Sequence, residues 1–328
     1  MLTCNIPDTK VTSLSYDNPE HHAVSIIHMV EGDFSGVIEV HDKDIVAITL
    51  GSMTSSSSLG SNTAAPAKPA TSLPASDDSW ALWHQLSLDS RHFGHPSNFS
   101  TRIPESTWLS FTTTLHTPSG LFLKHLAEFT GNEPGTGALT TFKDSNWGMS
   151  IVIPHQPHFI DQPADVQVFW GYGLTPGAMG NYVRKPMADC TGEEIFEELL
   201  AHLRFPLHPT IDNAITIPCL MPYITAQFLT RGPGDRPAVI PQGSTNLAFL
   251  GQFVEIEEDV VFTVEYSVRS AQEAVYGLMG LKKQPTKMYH GDRHPTVLAK
   301  AMKTLLEDGT RWGTESRKHG ELNLVSFR

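Results

Sequence analysis

The first fifty residues alternate short β-branched runs with polar breaks. Residues 23–30, 36–40 and 45–50 are rich in Val and Ile, and the breaks Glu31-Gly32-Asp33-Phe34-Ser35 and His41-Asp42-Lys43-Asp44 carry turn residues. The pattern predicts a three-stranded β-meander. Its last run, Ile-Val-Ala-Ile-Thr-Leu, does not alternate, so both faces of that strand are expected to be covered. The run stops at Gly51, a residue that lets backbone approach a ligand closely. From Ser52 to Ser76 the chain turns to Ser, Ala, Thr and Pro, side chains too small and polar to pack a core unaided. That stretch reads as a linker or as a loop ordered by a ligand.

Helical spacing of apolar residues returns over 80–88 and again over 120–129, and residues 150–153 and 166–170 have strand character, the latter followed by a glycine-rich turn. A capping box at Thr191-Gly192-Glu193-Glu194 then opens a helix. Its apolar stripe is Ile195, Phe196, Leu199, Leu200 and Leu203, with Glu197 and Glu198 on the opposite face. Residues 247–250 form a short apolar strand ending at Gly251. A helix follows over about 263–279, with Val264, Val268, Ala271, Val275 and Leu278 at helical spacing, and Val297, Leu298, Ala301, Met302 and Leu305 mark a last amphipathic helix.

At 328 residues the chain is one large domain or two ordinary ones, and 40% hydrophobic with 18% charged residues is a globular composition. The 35 acidic residues outnumber the 23 Lys and Arg, giving a net charge of −12. With no clustered Lys/Arg run to reverse that field, nucleic acid is not expected as a partner. Cys4, Cys190 and Cys219 are far apart and in no CxxC spacing, which suggests neither a disulfide framework nor a zinc clip. The N-terminus lacks a signal-peptide layout, and no stretch approaches the roughly 18 apolar residues of a membrane span. A cytoplasmic location is the expectation.

Several constellations could carry chemistry, each with a plainer reading beside it. The strand, glycine and helix start around 247–279 could offer free N–H groups to an anion or an electron-rich ring, or could be an ordinary βα turn. Gly51-Ser52-Met53-Thr54 admits the same two readings. Gly171-Tyr172-Gly173-Leu174-Thr175-Pro176-Gly177 imitates a dinucleotide fingerprint, but its spacing is wrong and Pro176 leaves no helix to receive a pyrophosphate. His155 and His158 flank a proline without a third ligand nearby, so they read as surface or hydrogen-bonding groups and no metal site is expected. Asp144-Ser145-Asn146-Trp147 is a turn or a site rim. Pro218-Cys219-Leu220-Met221-Pro222-Tyr223 is a buried loop or the wall of an apolar pocket. Without a GxSxG elbow, a serine hydrolase has no support.

The strings GSMTSSSSLGS, FTGNEPGTGALTTFKDSNW, PHQPHFIDQPADVQVFWGYGL, CTGEEIFEELLAHL, PCLMPYITAQF and LAFLGQFVEIEEDVVFTVEYSVRSAQEAVYGLMGL closely resemble the oleate hydratase family, long called myosin-cross-reactive antigens. The resemblance runs over about residues 12–306. It implies an α/β (α+β) chain: part of a two-dinucleotide-type flavoprotein fold, with a β-meander and a helical substrate-binding or lid portion. The implied organisation is a meander and return strand over 1–60, a low-complexity loop over 61–78, a substrate-binding region over 79–240, an FAD-contacting strand, loop and helix over 241–285, and a C-terminal helix and tail over 286–328.

The activity implied is hydration of the cis-9 double bond of oleate-like unsaturated fatty acids to 10-hydroxy acids, with FAD in a structural and electrostatic role. FAD contacts would come from Gly51, Ser52, Met53, Thr54, Gly251, Gln252, Phe253, Glu255, Val261, Phe262 and Thr263. Substrate contacts would come from Asn146, Trp147, Tyr172, Met221, Tyr223 and Arg231. A homodimer and peripheral contact with a membrane are also implied. Family proteins are nearly twice this length, and their first half carries the GxGxxG fingerprint and the glutamate and tyrosine of catalysis. The expectation is therefore a chain without the N-terminal Rossmann unit, and no residue of it is assigned a catalytic role. The alternative is a truncated, inactive remnant that binds lipid or a partner.

Overall fold

A computed structural model describes the chain except for residues 1–7, 19–20, 69–77, 117–120, 137–138, 258, 260–262, 304, 307–323 and 328. In chain order it holds β1 (Lys10–Tyr16), β2 (Val24–Glu31), β3 (Phe34–Glu39), β4 (Val46–Thr49), β5 (Ser58–Leu59), α1 (Asp78–Asp89), the single-turn helices α2 (Ser97–Ser100) and α3 (Ile103–Ser106), and β6 (Trp108–His116). Then come α4 (Leu121–Thr130), β7 (Leu139–Phe142), β8 (Met149–Val152), β9 (Val166–Gly173), α5 (Gly192–Leu203), β10 (Ala214–Met221), β11 (Leu247–Leu250), α6 (Val264–Leu278) and β12 (Leu324–Phe327). Residues 295–303 form a further helical stretch. Among the described residues no helix is long and apolar enough to cross a membrane. The helix and strand content is that of an α/β (α+β) chain.

Two compact units share the chain, and neither is continuous in sequence. The first takes Met1–Ser58, Ala67–Trp108 and Leu220–Pro285. Its antiparallel sheet, β1-β2-β3, is a meander, but not the expected one. The run over 45–50 leaves it and becomes β4, which pairs in parallel with β11. The third meander strand is instead β1, whose Ser- and Thr-rich sequence and two register shifts, between Val11 and Ser13 and between Ser15 and Tyr16, break the period-2 signal. Nor is β4 covered on both faces: Val46 is buried, whereas Ala47 and Thr49 are exposed. An aromatic core of Trp80, Trp83, Phe93, Phe99, Phe249 and Phe253 fills this unit. Helix α1 forms where Trp80 and Trp83 stand one turn apart, and the Trp83 indole donates to the Phe93 carbonyl at 2.7 Å.

The second unit takes Leu59–Pro66, Leu109–Cys219 and Thr286–Arg328. Its sheet has the order β12-β7-β8-β9-β6-β10-β5. Strand β6 alternates cleanly, turning Leu109, Phe111, Thr113 and Leu115 inward, so one sheet face packs on α4 and α5 through Phe122, Phe169 and Phe196. The expected glycine-rich turn after residue 170 is still strand. A Cβ on Gly171 would lie 2.5 Å from Phe111 Cζ, and one on Gly173 would lie 2.3 Å from the Met187 sulfur. These glycines are there for close packing.

Helix α5 shows the predicted capping box: Glu194 N donates to Thr191 Oγ1 at 3.2 Å, and Thr191 N donates to Glu194 Oε2 at 3.0 Å. Two further free N–H groups of its first turn are satisfied by the low-complexity stretch. Gly192 N donates to the Ser61 carbonyl and Glu193 N to the Asn62 carbonyl, both at 3.0 Å. The predicted apolar stripe is buried, but Glu198, expected outside, is fully buried as well. Helix α6 also departs from its pattern. Tyr266, Ser270 and Ala274 face inward, whereas Val264, Val268 and Val275 are exposed.

Gly192 has no room to grow, because a Cβ there would sit 1.8 Å from the Thr216 carbonyl oxygen. Thr191→Ala removes one cap and should lower stability by about 1 kcal/mol. Gly192→Ala should cost more, roughly 1–3 kcal/mol, by forcing the helix away from that strand. Urea unfolding of the two variants beside the parent measures both values, and equal losses would contradict the steric account.

A convergent candidate cofactor site

Two segments nearly 200 positions apart come together at the ends of β4 and β11. The strands run side by side in register, Val46 opposite Leu247 and Thr49 opposite Leu250, so both deliver their next residues to the same edge. Those residues are Leu50, followed by Gly51, and Gly251; the two glycines have φ of 61° and 95°. Glycine is required on two counts: the left-handed backbone, and space. A Cβ on Gly51 would meet Trp80 Cζ3 at 2.9 Å and Phe253 Cδ2 at 3.0 Å, and one on Gly251 would meet Thr49 Cγ2 at 3.0 Å. The carboxyl ends of parallel strands are where open α/β sheets place ligands.

Helix α6 starts beside this edge, and the loop after Gly251 is bound to its first turns. Gly251 N donates to Ser270 Oγ at 3.1 Å, and Gln252 Nε2 donates to the Thr263 carbonyl at 2.8 Å and to Ser267 Oγ at 3.2 Å. The other end of that amide, Gln252 Oε1, is buried with no hydrogen-bond partner among the described residues, and so is the indole N–H of Trp80. On the β4 side Ser52 Oγ accepts from Thr54 N at 3.3 Å, shaping a tight turn in which Met53 packs on the core. Phe253 is buried between Trp80, Trp83 and Phe99. Glu255 pairs with Arg231 at 3.0 Å, so these two candidates, assigned to different roles by the resemblance, neutralise each other. Thr263 is the N-cap residue of α6, with extended backbone and no side-chain cap bond. Val261 and Phe262 lie outside the described residues.

Of the substrate candidates, Met221, Tyr223 and Arg231 belong to the first unit and Asn146, Trp147 and Tyr172 to the second. Tyr223 and Trp147 are wholly buried, Tyr223 against Trp80 and Trp147 with its indole donating to the Ala178 carbonyl at 3.0 Å. Asn146 is exposed, and its backbone N–H donates to Asn181 Oδ1 at 2.8 Å. Tyr172 on β9 lies beside Trp170.

The second unit also has a hollow of about 580 Å³, lined by Thr114, His158, Phe159, Ile160, Asp161, Gln162, Pro163, Val166 and Val168. Its rim loop is built on two glutamines. Gln156 accepts from Val168 N and donates to the Val168 carbonyl at 2.8 Å, and Gln162 accepts from His158 N at 2.7 Å and donates to Gln156 Oε1 at 2.9 Å. This scaffold presents Phe159 and Ile160 to solvent, Ile160 fully so.

A family model, that of the MCRA family, matches residues 5–276. The chain belongs to the MCRA family. Among similar curated proteins, an oleate hydratase from Streptococcus pyogenes serotype M49 (strain NZ131) is 42% identical over 283 residues, covering 83% of this chain and 47% of that protein. A linoleate hydratase from Lactiplantibacillus plantarum is 34% identical over 291 residues, covering 82% of this chain and 50% of that protein. The MCRA chain therefore spans about half the length of the curated relatives it matches.

Several residues of this MCRA chain near the sites were not singled out from sequence. Trp80 reads as an ordinary helix residue, and Ser270 sits in a helix whose valines draw the eye to the other face. The small-residue spacing Ser267, Ser270 and Ala274 was the available signal for close approach to β11. The hollow involves β6, β9 and a loop, so no local pattern announces it. Among the described residues no group of His, Cys, Asp or Glu could hold a metal ion.

Buried Glu198 fixes the loop around Asn146 and Asn181. Its carboxylate accepts from Asn181 N, Tyr182 N and Val183 N at 2.7, 2.9 and 2.7 Å. Burial pushes its carboxyl pKa up, but His202, 3.4 Å away, and those three N–H groups outweigh burial and hold it below the ordinary carboxylate range. Because that pKa is lower folded than unfolded, the stabilisation is complete above the unfolded value of about 4.3 and is lost as pH falls through the folded value. A Glu198→Gln variant should lose about 2 kcal/mol at neutral pH and should show a flatter stability profile in acid. Denaturant titrations across the acid range measure both; an unchanged acid slope would remove Glu198 as the cause.

Proposed function

We propose that this chain supplies half of a fatty acid hydratase, one that adds water across the cis-9 double bond of oleate-like acids to give 10-hydroxy acids and holds FAD as a structural and electrostatic component. The observation that carries the FAD reading is the meeting of Gly51 and Gly251 at one edge of a parallel strand pair, beside the start of α6. The residues fit a large planar ligand. Two left-handed glycines packed against Trp80, Phe253 and Thr49 set the two loop starts, the N-terminal turn of α6 offers positive partial charge, and Gln252 Oε1 is a buried acceptor in need of a donor. In this reading Ser52, Met53, Thr54, Phe253, Glu255, Val261, Phe262 and Thr263 complete the seat. When bound, the flavin supplies an electron-rich wall to the reaction chamber.

Hydration requires a proton delivered to one alkene carbon and a water oxygen bonded to the other, in a site that shields the cation-like transition state from bulk water. This chain's share is positioning. In the second unit the apolar sides of Phe159, Ile160, Val166 and Val168 suit a hydrocarbon tail, and Asn146 and Tyr172 are proposed substrate contacts with Trp147 as a buried support; in the first unit Met221 and Arg231 are proposed substrate contacts with Tyr223 as a buried support. No proton donor is assigned. The same reading places the chain in the cytoplasm as a homodimer in peripheral contact with lipid. Val297, Leu298 and Met302, exposed beside Lys300 and Lys303, are the proposed surface for that contact. The half-length match favours a second reading, a chain that binds lipid or a partner without turnover.

Titration of the purified chain with FAD, followed by flavin fluorescence, should show saturable binding. Gly251→Ala should weaken it at least about tenfold with the far-ultraviolet circular dichroism intact, since the added methyl strains a left-handed residue. Mass spectrometry of oleate incubated with the FAD-loaded chain separates the two readings: 10-hydroxystearate establishes the hydratase, and FAD binding without product establishes the silent binder. A folded chain that binds no FAD overturns the cofactor assignment.

A further inference from the structure

Every second residue of a strand lies on the same sheet face, and residues paired in register form rows that cross the sheet. In the second unit Leu109, Phe111, Leu115 and Phe169 are buried on the face that packs on α4 and α5, so the even-numbered positions of β6 and β9 form the outer face. The registers place three rows there. Thr114 stands opposite Val168, and both line the hollow. One pleat further along, Leu139, Val152, Trp170 and Thr112 stand side by side on β7, β8, β9 and β6, with Trp170 41% exposed. One pleat beyond that, the same four strands bring Thr141, Ser150, Tyr172 and Ser110 into line. Each member of this last row carries a hydroxyl.

The outer face therefore runs from the hollow, past a mostly apolar row centred on Trp170, to a row of hydroxyls. Thr141 Oγ1 and Ser150 Oγ share a hydrogen bond at 2.9 Å, and Ser150 is buried. Tyr172 and Ser110, opposite one another, are half-buried. Four residues of strand separate Val168 from Tyr172, about 14 Å at an antiparallel rise of roughly 3.4 Å per residue. In an eighteen-carbon acid the tenth carbon lies eight bonds from one end and nine from the other, roughly 10–11 Å at about 1.25 Å of advance for each C–C bond of ~1.5 Å. An O–H···O bond of about 2.8 Å makes up the difference. A chain end seated in the hollow thus brings the middle of the chain to the hydroxyl row, whichever end enters, with Trp170 beside the carbons between. A hydroxyl taken out of water is costly without a matching partner, so a polar row at one fixed distance along an apolar track discriminates by position.

We infer that Tyr172 and Ser110 are positioning residues that hydrogen-bond the hydroxyl group at the middle carbon of a hydroxy fatty acid, so that the distance from the hollow to their row sets which positional isomer this unit holds. The inference rests on the hydratase reading for the seating of the acyl chain, and it requires neither FAD nor turnover.

The test is calorimetric titration of the full chain, without FAD, with 10-hydroxystearate and with 12-hydroxystearate below their micelle concentrations. The two acids have the same composition, and their hydroxyls stand two carbons apart. The 10-hydroxy acid should bind about fivefold tighter or more, the scale of one or two neutral hydrogen bonds. Tyr172→Phe and Ser110→Ala should each bring the isomers toward equal affinity, whereas Trp170→Ala should weaken both by the same factor. If circular dichroism shows Tyr172→Phe unfolded, Ser110→Ala decides the matter. Equal affinities in the parent chain, or a preference that survives in both folded variants, would overturn the inference and leave the hydratase reading standing. A folded parent chain that binds neither acid would overturn the acyl-chain reading and this inference with it.

Discussion

The candidate site depends on the parallel pairing of β4 with β11. Four residues on each strand, at the two ends of the chain's first unit, bring Gly51 and Gly251 to one edge and start two loops in the same direction. Neither glycine is informative alone, since a glycine after a strand usually marks only a turn. Together, with left-handed backbones and core side chains packed against them, they fix two loop starts beside the start of α6. Everything proposed about FAD follows from that adjacency and from the buried acceptor beside it. Tyr266 anchors the loop from below: its hydroxyl donates to the Val254 carbonyl at 2.7 Å and accepts from Arg236 at 3.0 Å.

The second unit is governed by close approach. Gly171 and Gly173 let β9 lie against Phe111 and Met187, and Gly192 lets α5 touch the strand bearing Thr216. Over that packed layer, single polar groups, the buried Glu198 and the half-buried Gln156 and Gln162, organise whole loops. Glu198 holds three consecutive N–H groups, and the Gln156 and Gln162 amides stand in for backbone partners along the rim of the hollow. Such groups are stable only when nearly every lone pair and proton is used, which makes these loops rigid platforms.

Local patterns showed much of this architecture in advance. The capping box and stripe of α5, the helices around Trp80 and Leu121, and the strand at 247–250 follow from side-chain period and cap chemistry, which are local. The failures are all non-local. Register shifts hide strand β1, β4 has the local pattern of a meander strand because its partner lies some 200 positions away, and Glu198 has the pattern of an outer position because a carboxylate is buried only when distant N–H groups supply its solvation. The inward face of α6 was obscured for a related reason: Ser270 and Ala274 are small enough to approach β11, so compactness, not hydrophobicity, selected the buried side.

The stretch of small residues before α1 has a consequence for how such chains are delimited. Composition filters would discard Ser58–Pro66 as spacer, yet Ser61 and Asn62 cap the start of a helix 130 positions downstream, Asn62 Oδ1 accepts from Thr216 N at 2.9 Å, and Gly60 N donates to the Pro218 carbonyl at 2.8 Å. Its length and backbone path are thus fixed by a distant helix. Splicing a tag, a reporter or a permuted terminus into it would damage the second unit first, although the stretch holds only the two-residue edge strand β5 of that unit.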